Sequence, residues 1–408
     1  MGRAARHAGD DGRLTMSYPN NRDDHHSLET RLVHAATGAG GRLPAESVAP
    51  AIQKGSTVLL PNAASLYDHS IPNYGRQGLA AQKALAEAMC DLEGAKFCQL
   101  YGSGLAAVTG ALMSILHSGD TILVTDGVYH PVRRFCGEFL NRFGVETIYY
   151  PADASPSEIM ALATTSTRLI FIESPASLTF EMVDVAAVVQ MARARGILTM
   201  ADNTWGAGLS FRPLEHGVDL SMQALTKYVC GHSDVFLGSV CTNNPQVEAA
   251  LKLAMIIAGF SVSAEDAYQG LRGLRTLPLR FARHGESGLI VARWLQQRPE
   301  VARVLHPALP GDPGHDIWSR DYKGACGLLG VELVDMPQHH VERILNCLKL
   351  FGLGFSWGGF ESLAIVSKPT RTAKPWAGGP LIRLNIGLET PEDLISDLQQ
   401  AFEVAGSA

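Results

Sequence analysis

Short apolar runs alternate with amphipathic stretches through the first two thirds of the chain. Four runs have the length and composition of buried strands, at 121–124, 147–150, 169–172 and 197–201. Stretches with apolar residues at helical spacing precede and separate them, at 80–92, 105–116, 130–143, 155–163 and 183–195. Two further short strands are expected at 220–225 and 237–242. Strand, helix and strand at this spacing predict right-handed crossovers and a mostly parallel sheet in an α/β fold.

The pattern changes in the last third of the chain. Long helices are predicted at 246–258 and 263–297, with a kink at Pro278. Strands expected at 328–333, 362–366 and 381–386 then alternate with helices at 341–350 and 391–404. This change predicts a large domain over 77–272 and a smaller C-terminal α+β domain over 273–408. Before them, 1–26 is expected to be disordered and 27–76 to form an arm rich in turns.

Composition narrows the class of protein. The 408 residues are 46% hydrophobic and exceed the usual size of one core, so two domains are expected. A net charge of −6 without a cluster of Lys and Arg argues against nucleic acid as a partner. No apolar run reaches the roughly 18 residues of a transmembrane helix, and the first residues lack the apolar core of a secretory signal. The seven cysteines, an odd number without CxxC, favour reduced thiols in a cytoplasmic protein and argue against a metal site.

The most informative stretch is Thr226-Lys227-Tyr228, which follows a short apolar run. Its apolar surroundings place the lysine inside, where an amine loses its proton more easily, as imine chemistry needs. Upstream, Asp202 closes the apolar run 197–201, and strand ends of an α/β sheet face one crevice. An acid facing a ring nitrogen and a lysine facing an aldehyde are the two groups that pyridoxal phosphate requires. Taken singly, such an Asp is more often a turn cap and such a Lys a surface charge.

A glycine-rich stretch, Gly102-Ser103-Gly104-Leu105, opens a predicted helix. Its backbone N–H groups suit a phosphate at a helix N-terminus. The stretch also fits GxGxxA, and Asp126 ends a strand about twenty residues later, as in a dinucleotide-binding fold. A plain turn is a further interpretation. The stretch alone does not separate NAD from pyridoxal phosphate, but Lys227 and Asp202 favour the latter.

From Thr30 onward, the chain resembles the Cys/Met-metabolism family of pyridoxal-phosphate enzymes of the aspartate-aminotransferase fold type (fold type I). The resemblance rests on motifs in family order and spacing: Tyr74-Gly75-Arg76, Gly104-Leu105, Glu173-Ser174-Pro175, Asp202-Asn203-Thr204-Trp205, Thr226-Lys227-Tyr228, Gly231-His232-Ser233-Asp234, Ser356-Trp357-Gly358-Gly359 and Arg383. It implies a mostly parallel seven-stranded sheet in the large domain. It also implies an N-terminal arm that contacts a neighbouring subunit, in a homotetramer whose active sites are shared between subunits.

The resemblance implies roles around the cofactor ring and the substrate. Lys227 matches the Schiff-base lysine, and Asp202 matches the partner of the pyridine nitrogen. Tyr129 matches the tyrosine that stacks on the ring, although by itself it is a half-buried aromatic. Arg383 matches the arginine that grips the substrate carboxylate, for which its bidentate fork is suited. Ser356 matches a further substrate-site position.

The resemblance also implies how the phosphate is held. Gly104 and Leu105 match the backbone amides at the phosphate, and Thr226 adds a hydroxyl. Tyr74 and Arg76 match the pair that reaches the phosphate from a neighbouring subunit, with Tyr74 also at the substrate. Without the resemblance, Arg76 would be a surface charge.

Two positions depart from the family pattern. Ala224 stands where many relatives carry a serine, so one phosphate hydroxyl is expected to be missing. Met255 stands where a better-known β-lyase carries a tyrosine, which puts the distal substrate pocket in question.

The expected reaction is carbon–sulfur β-elimination from an amino-acid thioether such as L-cystathionine, giving homocysteine, pyruvate and ammonia. The sequence Phe355-Ser356-Trp357 before the paired glycines resembles the β-lyase form, although Trp357 also fits a core position. Two alternatives stay open. One is another reaction of the family, γ-lysis or sulfhydrylation, and the other is a regulatory protein that binds the cofactor with little turnover.

Overall fold

The computed structural model describes residues 7–8, 14–15, 26–35, 48–68 and 71–406. Two short strands near the N-terminus, β1 (His7–Ala8) and β2 (Leu14–Thr15), pair antiparallel. Most of the segment 1–26 lies outside the described residues, and disorder there stays a prediction. In the described part of the chain, no helix is both long and apolar enough to cross a membrane.

The large sheet has seven strands in the order β3-β9-β8-β7-β6-β4-β5. The strands are β3 (Phe97–Tyr101), β4 (Thr121–Thr125), β5 (Glu146–Tyr150), β6 (Thr167–Glu173), β7 (Leu198–Asp202), β8 (Leu220–Gln223) and β9 (Gly238–Thr242). All neighbours from β8 to β5 pair parallel, and β9 pairs antiparallel with both β8 and β3. The predicted mostly parallel, seven-stranded sheet is confirmed.

Helices cover both faces of this sheet, because successive side chains of each buried strand point to opposite sides. In β4, Leu123 joins the core formed with α2 and α6, whereas Ile122 and Val124 join the core formed with α3 and α7. The helices are α1 (Leu28–Val33), α2 (Ala80–Glu93), α3 (Gly104–Ile115), α4 (His130–Arg134), α5 (Pro156–Ala161), α6 (Val185–Ala194), α7 (Pro245–Ala258) and α8 (Ala264–Leu274). The stretch 130–143 is helical as predicted, but α4 continues as a π-helix over Phe135–Phe139 and a 3-10 helix over Leu140–Phe143.

The predicted helix 263–297 is divided. The helix α8 ends at Leu274, and α9 (Leu277–Leu295) begins after a break at Arg275 and Thr276. Pro278 therefore lies in the first turn of α9 rather than at an internal kink. The first turn accepts proline because the N–H groups there have no partner within the helix.

The C-terminal part forms a second sheet of five strands in the order β10-β11-β14-β13-β12. Its elements are β10 (Val301–Leu305), α10 (His315–Asp321), β11 (Leu328–Leu333), α11 (Gln338–Asn346), β12 (Gly352–Leu353), β13 (Leu363–Ser367), β14 (Leu381–Asn385) and α12 (Pro391–Gly406). Side chains such as Val291, Leu329 and Leu398 form its separate core. The predicted α+β arrangement is present, with β10 and β12 in addition. The domain boundary near Arg272 and the role of the arm stay predictions.

Arg280 of α9 fixes the segment that follows Lys227. Its buried guanidinium donates to the carbonyls of Tyr228 (2.7 Å), Val229 (3.2 Å) and Gly273 (2.7 Å). The chain passes so close that a Cβ on Gly231 would lie 2.9 Å from Nη2 of Arg280, and Gly231 also has a φ of +67°. The side chain of Arg280 thus joins α9 to the segment after Lys227 and to the end of α8.

We expect Arg280→Ala to lower the free energy of unfolding by on the order of 3 kcal/mol, because three buried carbonyls lose a charged donor. Urea unfolding measures the loss, and the exposed Arg272→Ala is the matched control. Equal stability of the two variants would contradict this account.

Candidate active site

The predicted site residues surround one cavity of about 480 Å³ between the large sheet and the C-terminal part. All of them line it except Tyr74 and Arg76; those that line it are Gly104, Leu105, Tyr129, Asp202, Thr226, Lys227, Ser356, Trp357 and Arg383. The carboxyl ends of the parallel strands supply one wall, as expected for an open α/β sheet.

The side chain of Lys227 lies inside the cavity. Its Nζ donates to Oγ of Ser356 at 2.7 Å and lies 5.4 Å from the ring centroid of Trp357. Burial and the nearby charge of Arg383 lower the pKa of Lys227 to about 8, against the opposing effect of Asp202. The amine therefore becomes uncharged close to neutral pH, as a nucleophile or base requires.

Asp202 ends β7 and is fixed by Thr204. Its Oδ1 accepts from the backbone N–H of Thr204 at 2.9 Å and from the Thr204 hydroxyl at 2.5 Å. That hydroxyl in turn accepts from the N–H of Ala224 at 2.9 Å. Burial raises the pKa of Asp202, while the Thr204 donors and Lys227 act in the opposite direction. Thr204 thus ties the acid to the segment that leads to the lysine.

Tyr129 enters the cavity from the loop after β4, and its side chain is half exposed. Its backbone N–H donates to Oε2 of Glu173 at 2.8 Å. Glu173 ends β6 and is the register partner of Asp202 on the adjacent strand β7. Burial, and then the charge of Asp202, raise the pKa of Glu173 well above the usual value of a glutamate. Burial also raises the pKa of the Tyr129 hydroxyl.

Arg383 reaches the cavity from β14. Its Nη2 donates to the carbonyl of Ser356 at 2.7 Å, and its buried Nε has no hydrogen-bond partner among the residues that the structure describes. Burial lowers the pKa of Arg383 to about 10. Ser356 has a φ of +84°, an uncommon backbone conformation for a serine. In this conformation, Ser356 presents its hydroxyl to Lys227 and its carbonyl to Arg383.

The N-terminus of α3 forms the opposite end of the cavity. Ser103 caps the helix by accepting from the N–H of Ala106 at 3.0 Å. A Cβ on Gly104 would lie 2.9 Å from Cα of Ala224, so the close approach requires glycine. The Thr226 hydroxyl already bonds the carbonyl and N–H of Leu237, at 3.1 and 3.0 Å. The backbone N–H groups at the N-terminus of α3 are therefore the main donors that this end of the cavity offers to an anion.

The dinucleotide interpretation of the same stretch fails at Asp126. Its side chain is fully buried, and it accepts hydrogen bonds from Arg133 and from the backbone N–H groups of Thr372, Ala373 and Lys374. An acid enclosed in this way does not face a ligand. The structure therefore favours the interpretation in which Lys227 and Asp202 define the cofactor.

Tyr74 and Arg76 lie outside the cavity of their own chain. Nη1 of Arg76 donates to the carbonyl of Ile256 at 2.8 Å, and its guanidinium lies 5.8 Å from the centroid of the Tyr74 ring. Met255 is buried, and with Phe260 and Arg76 it lines a separate depression, so the predictions that Tyr74 and Arg76 act at a neighbouring subunit are not met within one chain. Their predicted role at a neighbouring subunit stays a prediction.

Sequence reasoning missed two residues of the site. The motif that contains Glu173 carries the resemblance, yet the contact of Glu173 with Tyr129 joins separate strand ends and leaves no local pattern. Thr204 does leave a signal, because a threonine two residues after an aspartate is typical of a turn closed by its side chain.

These groups suit pyridoxal phosphate. It needs an amine for its aldehyde, a carboxylate for its ring nitrogen and amide donors for its phosphate, and Lys227, Asp202 and the N-terminus of α3 provide them. The unpaired Nε of Arg383 suits the carboxylate of an amino acid. Fold and site together define a pyridoxal-phosphate enzyme of the aspartate-aminotransferase fold type.

Within that class, the chain belongs to the Cys/Met metabolism PLP-dependent enzymes, whose family model matches residues 29–403. It is 45% identical to a cystathionine β-lyase of Bordetella avium over 81% of this chain and 84% of that protein. It is 38% identical to the cystathionine β-lyase MetC of Escherichia coli K12 over 92% of this chain and 98% of that protein. The solved structure of metB from Corynebacterium glutamicum is similar with a TM-score of 0.86 and 30% identity, covering 93% and 99% of the two chains.

In the cofactor-free protein, we expect Lys227 to react with a small aldehyde with a midpoint near pH 8. Asp202→Asn removes a negative charge that favours the ammonium form, so the midpoint should move to lower pH. Borohydride trapping followed by mass spectrometry measures the modified fraction at residue 227, with surface lysines of the same preparation as an internal reference. An unchanged or higher midpoint in the variant would show that the two groups do not interact.

Proposed function

We propose that the protein is a carbon–sulfur β-lyase that cleaves L-cystathionine to homocysteine, pyruvate and ammonia. The observation that carries the proposal is the Lys227 amine, held by Ser356 at 2.7 Å in the cavity that Arg383 also enters. The names of the similar proteins from Bordetella avium and Escherichia coli support this substrate and this direction of cleavage.

Arg383 and Ser356 are the groups that orient the amino acid. The guanidinium binds the substrate carboxylate through its free Nε, while its Nη2 stays fixed on the Ser356 carbonyl. Because Ser356 contacts both Arg383 and Lys227, a carboxylate bound at Arg383 is placed at a defined distance from the amine. Positioning of this kind lowers the entropic part of the barrier.

Lys227 moves the proton. Its low pKa makes the free amine available, and this amine removes the proton from Cα of the bound substrate. When bound, pyridoxal phosphate supplies the electron-accepting ring that stabilises the negative charge at Cα. Asp202 would keep the ring nitrogen of the bound cofactor protonated, and Tyr129 would pack against its ring. The thiolate then leaves Cβ, and the remaining three-carbon fragment reacts with water to give pyruvate and ammonia.

Trp357 favours β-elimination by its place in the sequence motif and by its position. It packs edge-on against Tyr228 at 5.5 Å between centroids and also faces the Lys227 amine at 5.4 Å. It is therefore partly a packing residue and partly a wall of the cavity beside the base. Such a wall restricts the space around Cβ and Cγ of the substrate.

We also propose a homotetramer with shared active sites, located in the cytoplasm. Tyr74 is 47% exposed, and the apolar residues Leu253 and Ile257 of α7, close to the contact of Arg76 with Ile256, are 58% and 76% exposed. Such a surface is typical of an interface between subunits. Six cysteines are free thiols, in keeping with a reducing compartment: Cys98, Cys136, Cys230, Cys241, Cys326 and Cys347.

With L-cystathionine, we expect the purified holoenzyme to release pyruvate and homocysteine, and Lys227→Ala to abolish this release because the base is lost. Keto-acid and thiol assays measure the products, circular dichroism checks the fold, and the exposed Lys96→Ala is the matched control. Release of 2-oxobutyrate and cysteine would identify a γ-lyase. Cofactor binding without any keto acid would identify a regulatory protein, and full activity of Lys227→Ala would defeat the proposal.

We expect Arg76→Ala to weaken cofactor retention, because the guanidinium is proposed to reach the phosphate of a neighbouring subunit. Equilibrium dialysis against free pyridoxal phosphate measures the affinity, size-exclusion chromatography the assembly, and the exposed Arg142→Ala serves as control. Unchanged affinity in an intact oligomer would exclude a shared phosphate site.

A further inference from the structure

A loop of the C-terminal part encloses one acid of the large sheet. Asp126 directly follows β4, its side chain is fully buried, and three consecutive backbone N–H groups point at its carboxylate. The N–H of Thr372 lies 2.9 Å from Oδ2, that of Ala373 2.8 Å and that of Lys374 3.0 Å. Burial alone would raise the pKa of Asp126, but these donors and Arg133 outweigh it and lower the pKa.

Arg133 of α4 completes the enclosure. Its Nη1 donates to Oδ1 of Asp126 at 2.8 Å, and its Nη2 donates to the Thr372 hydroxyl at 2.6 Å. The guanidinium also lies 4.0 Å from the centroid of the Tyr149 ring. Both ends of the segment 126–133 are thereby bound to the same loop, and Tyr129 lies between them.

The loop also contacts a second wall of the cavity. Nη2 of Arg371 donates to Oε2 of Glu181 at 3.1 Å and to the Thr179 hydroxyl. The segment 176–180 lines the cavity, and Ser177 donates its N–H to the carbonyl of Gly127 at 2.8 Å. The loop 371–374 therefore holds two neighbouring segments that line the cavity.

The same loop is connected to the substrate side of the cavity. It belongs to the connection between β13 and β14, and β14 carries Arg383. The segment that presents Tyr129 and the strand that presents Arg383 are therefore fixed to one another through Asp126.

We propose that Asp126 is a positioning residue, whose carboxylate anchors the loop 371–374 and thereby holds Tyr129 in place against the cofactor and Arg383 in place for the substrate. This inference rests on the proposed function, in which Tyr129 packs on the cofactor ring. The carboxylate suits the task because three backbone N–H groups converge on one of its oxygens, and an amide side chain would turn a donor toward them or toward Arg133.

Asp126→Asn tests the anchor with almost no change of shape. We expect the affinity for pyridoxal phosphate to fall roughly tenfold or more, because the three N–H groups and Arg133 lose their charged acceptor and Tyr129 is released. The KM for L-cystathionine should rise as Arg383 shifts. Asp153→Asn is the matched control, since Asp153 is an exposed acid whose ion pair with Lys374 lies at the end of the same loop. Thr372→Val removes the hydroxyl that accepts from Arg133 and donates to Oδ1 of Asp126, and this milder variant should shift both quantities in the same direction.

A double-mutant comparison separates positioning from general stability. In a Tyr129→Ala background, Asp126→Asn should change cofactor affinity less than about twofold, because the residue through which it acts is gone. An equal loss in both backgrounds, or a lower melting temperature with unchanged cofactor affinity, would overturn the proposal. Equilibrium dialysis and the visible absorbance of the bound cofactor provide the readouts without turnover. Failure of the wild-type protein to cleave L-cystathionine would affect the proposed function but not this comparison.

Discussion

The structure depends on lowering the pKa of one amine inside a protein that offers it few hydrogen bonds. Lys227 lies in an apolar cavity between a positive group, Arg383, and a negative group, Asp202, and burial outweighs the attraction of the acid. The hydroxyl of Ser356 is a neutral partner, so it holds the amine without favouring the ammonium form as a carboxylate would. The C-terminal part of the chain therefore sets the surroundings of a lysine that follows β8 of the large sheet.

Three carboxylates at the ends of parallel strands show how the surroundings divide the roles of similar residues. Asp126 after β4 is enclosed by amide donors and Arg133, so it is an ionised structural anchor. Glu173 at the end of β6 has a backbone N–H of Tyr129 as partner, and Asp202 at the end of β7 has both donors of Thr204. Sequence position alone makes the three acids equivalent, and only the residues that pack around each carboxylate separate their functions.

The parallel strands and the amphipathic helices could be predicted because each leaves a periodic pattern within one segment. The strand β3 could not, since Phe97–Tyr101 is only partly buried and contains Cys98 and Gln99. Lys227 and Asp202 could be predicted from their apolar surroundings. The contact of Ser356 with Lys227 and that of Thr372 with Asp126 join residues more than a hundred positions apart. The contact of Ser356 with Arg383 depends on an uncommon backbone angle at Ser356. No local sequence pattern records these contacts.

Glu173 and Asp202 form a register pair on adjacent strands, and both are partly buried. Two like charges at this spacing oppose each other, so the pair holds a proton most easily on the acid with the weaker donors. Asp202 accepts two hydrogen bonds from Thr204 and faces the charge of Lys227, whereas Glu173 accepts one N–H and has its pKa raised further. Of the two acids, Glu173 is therefore the easier to protonate and Asp202 the easier to keep ionised. A proton on Glu173 would remove a like charge beside Asp202, so the charge on Asp202 depends on the residue at the end of the next strand as well as on its own donors.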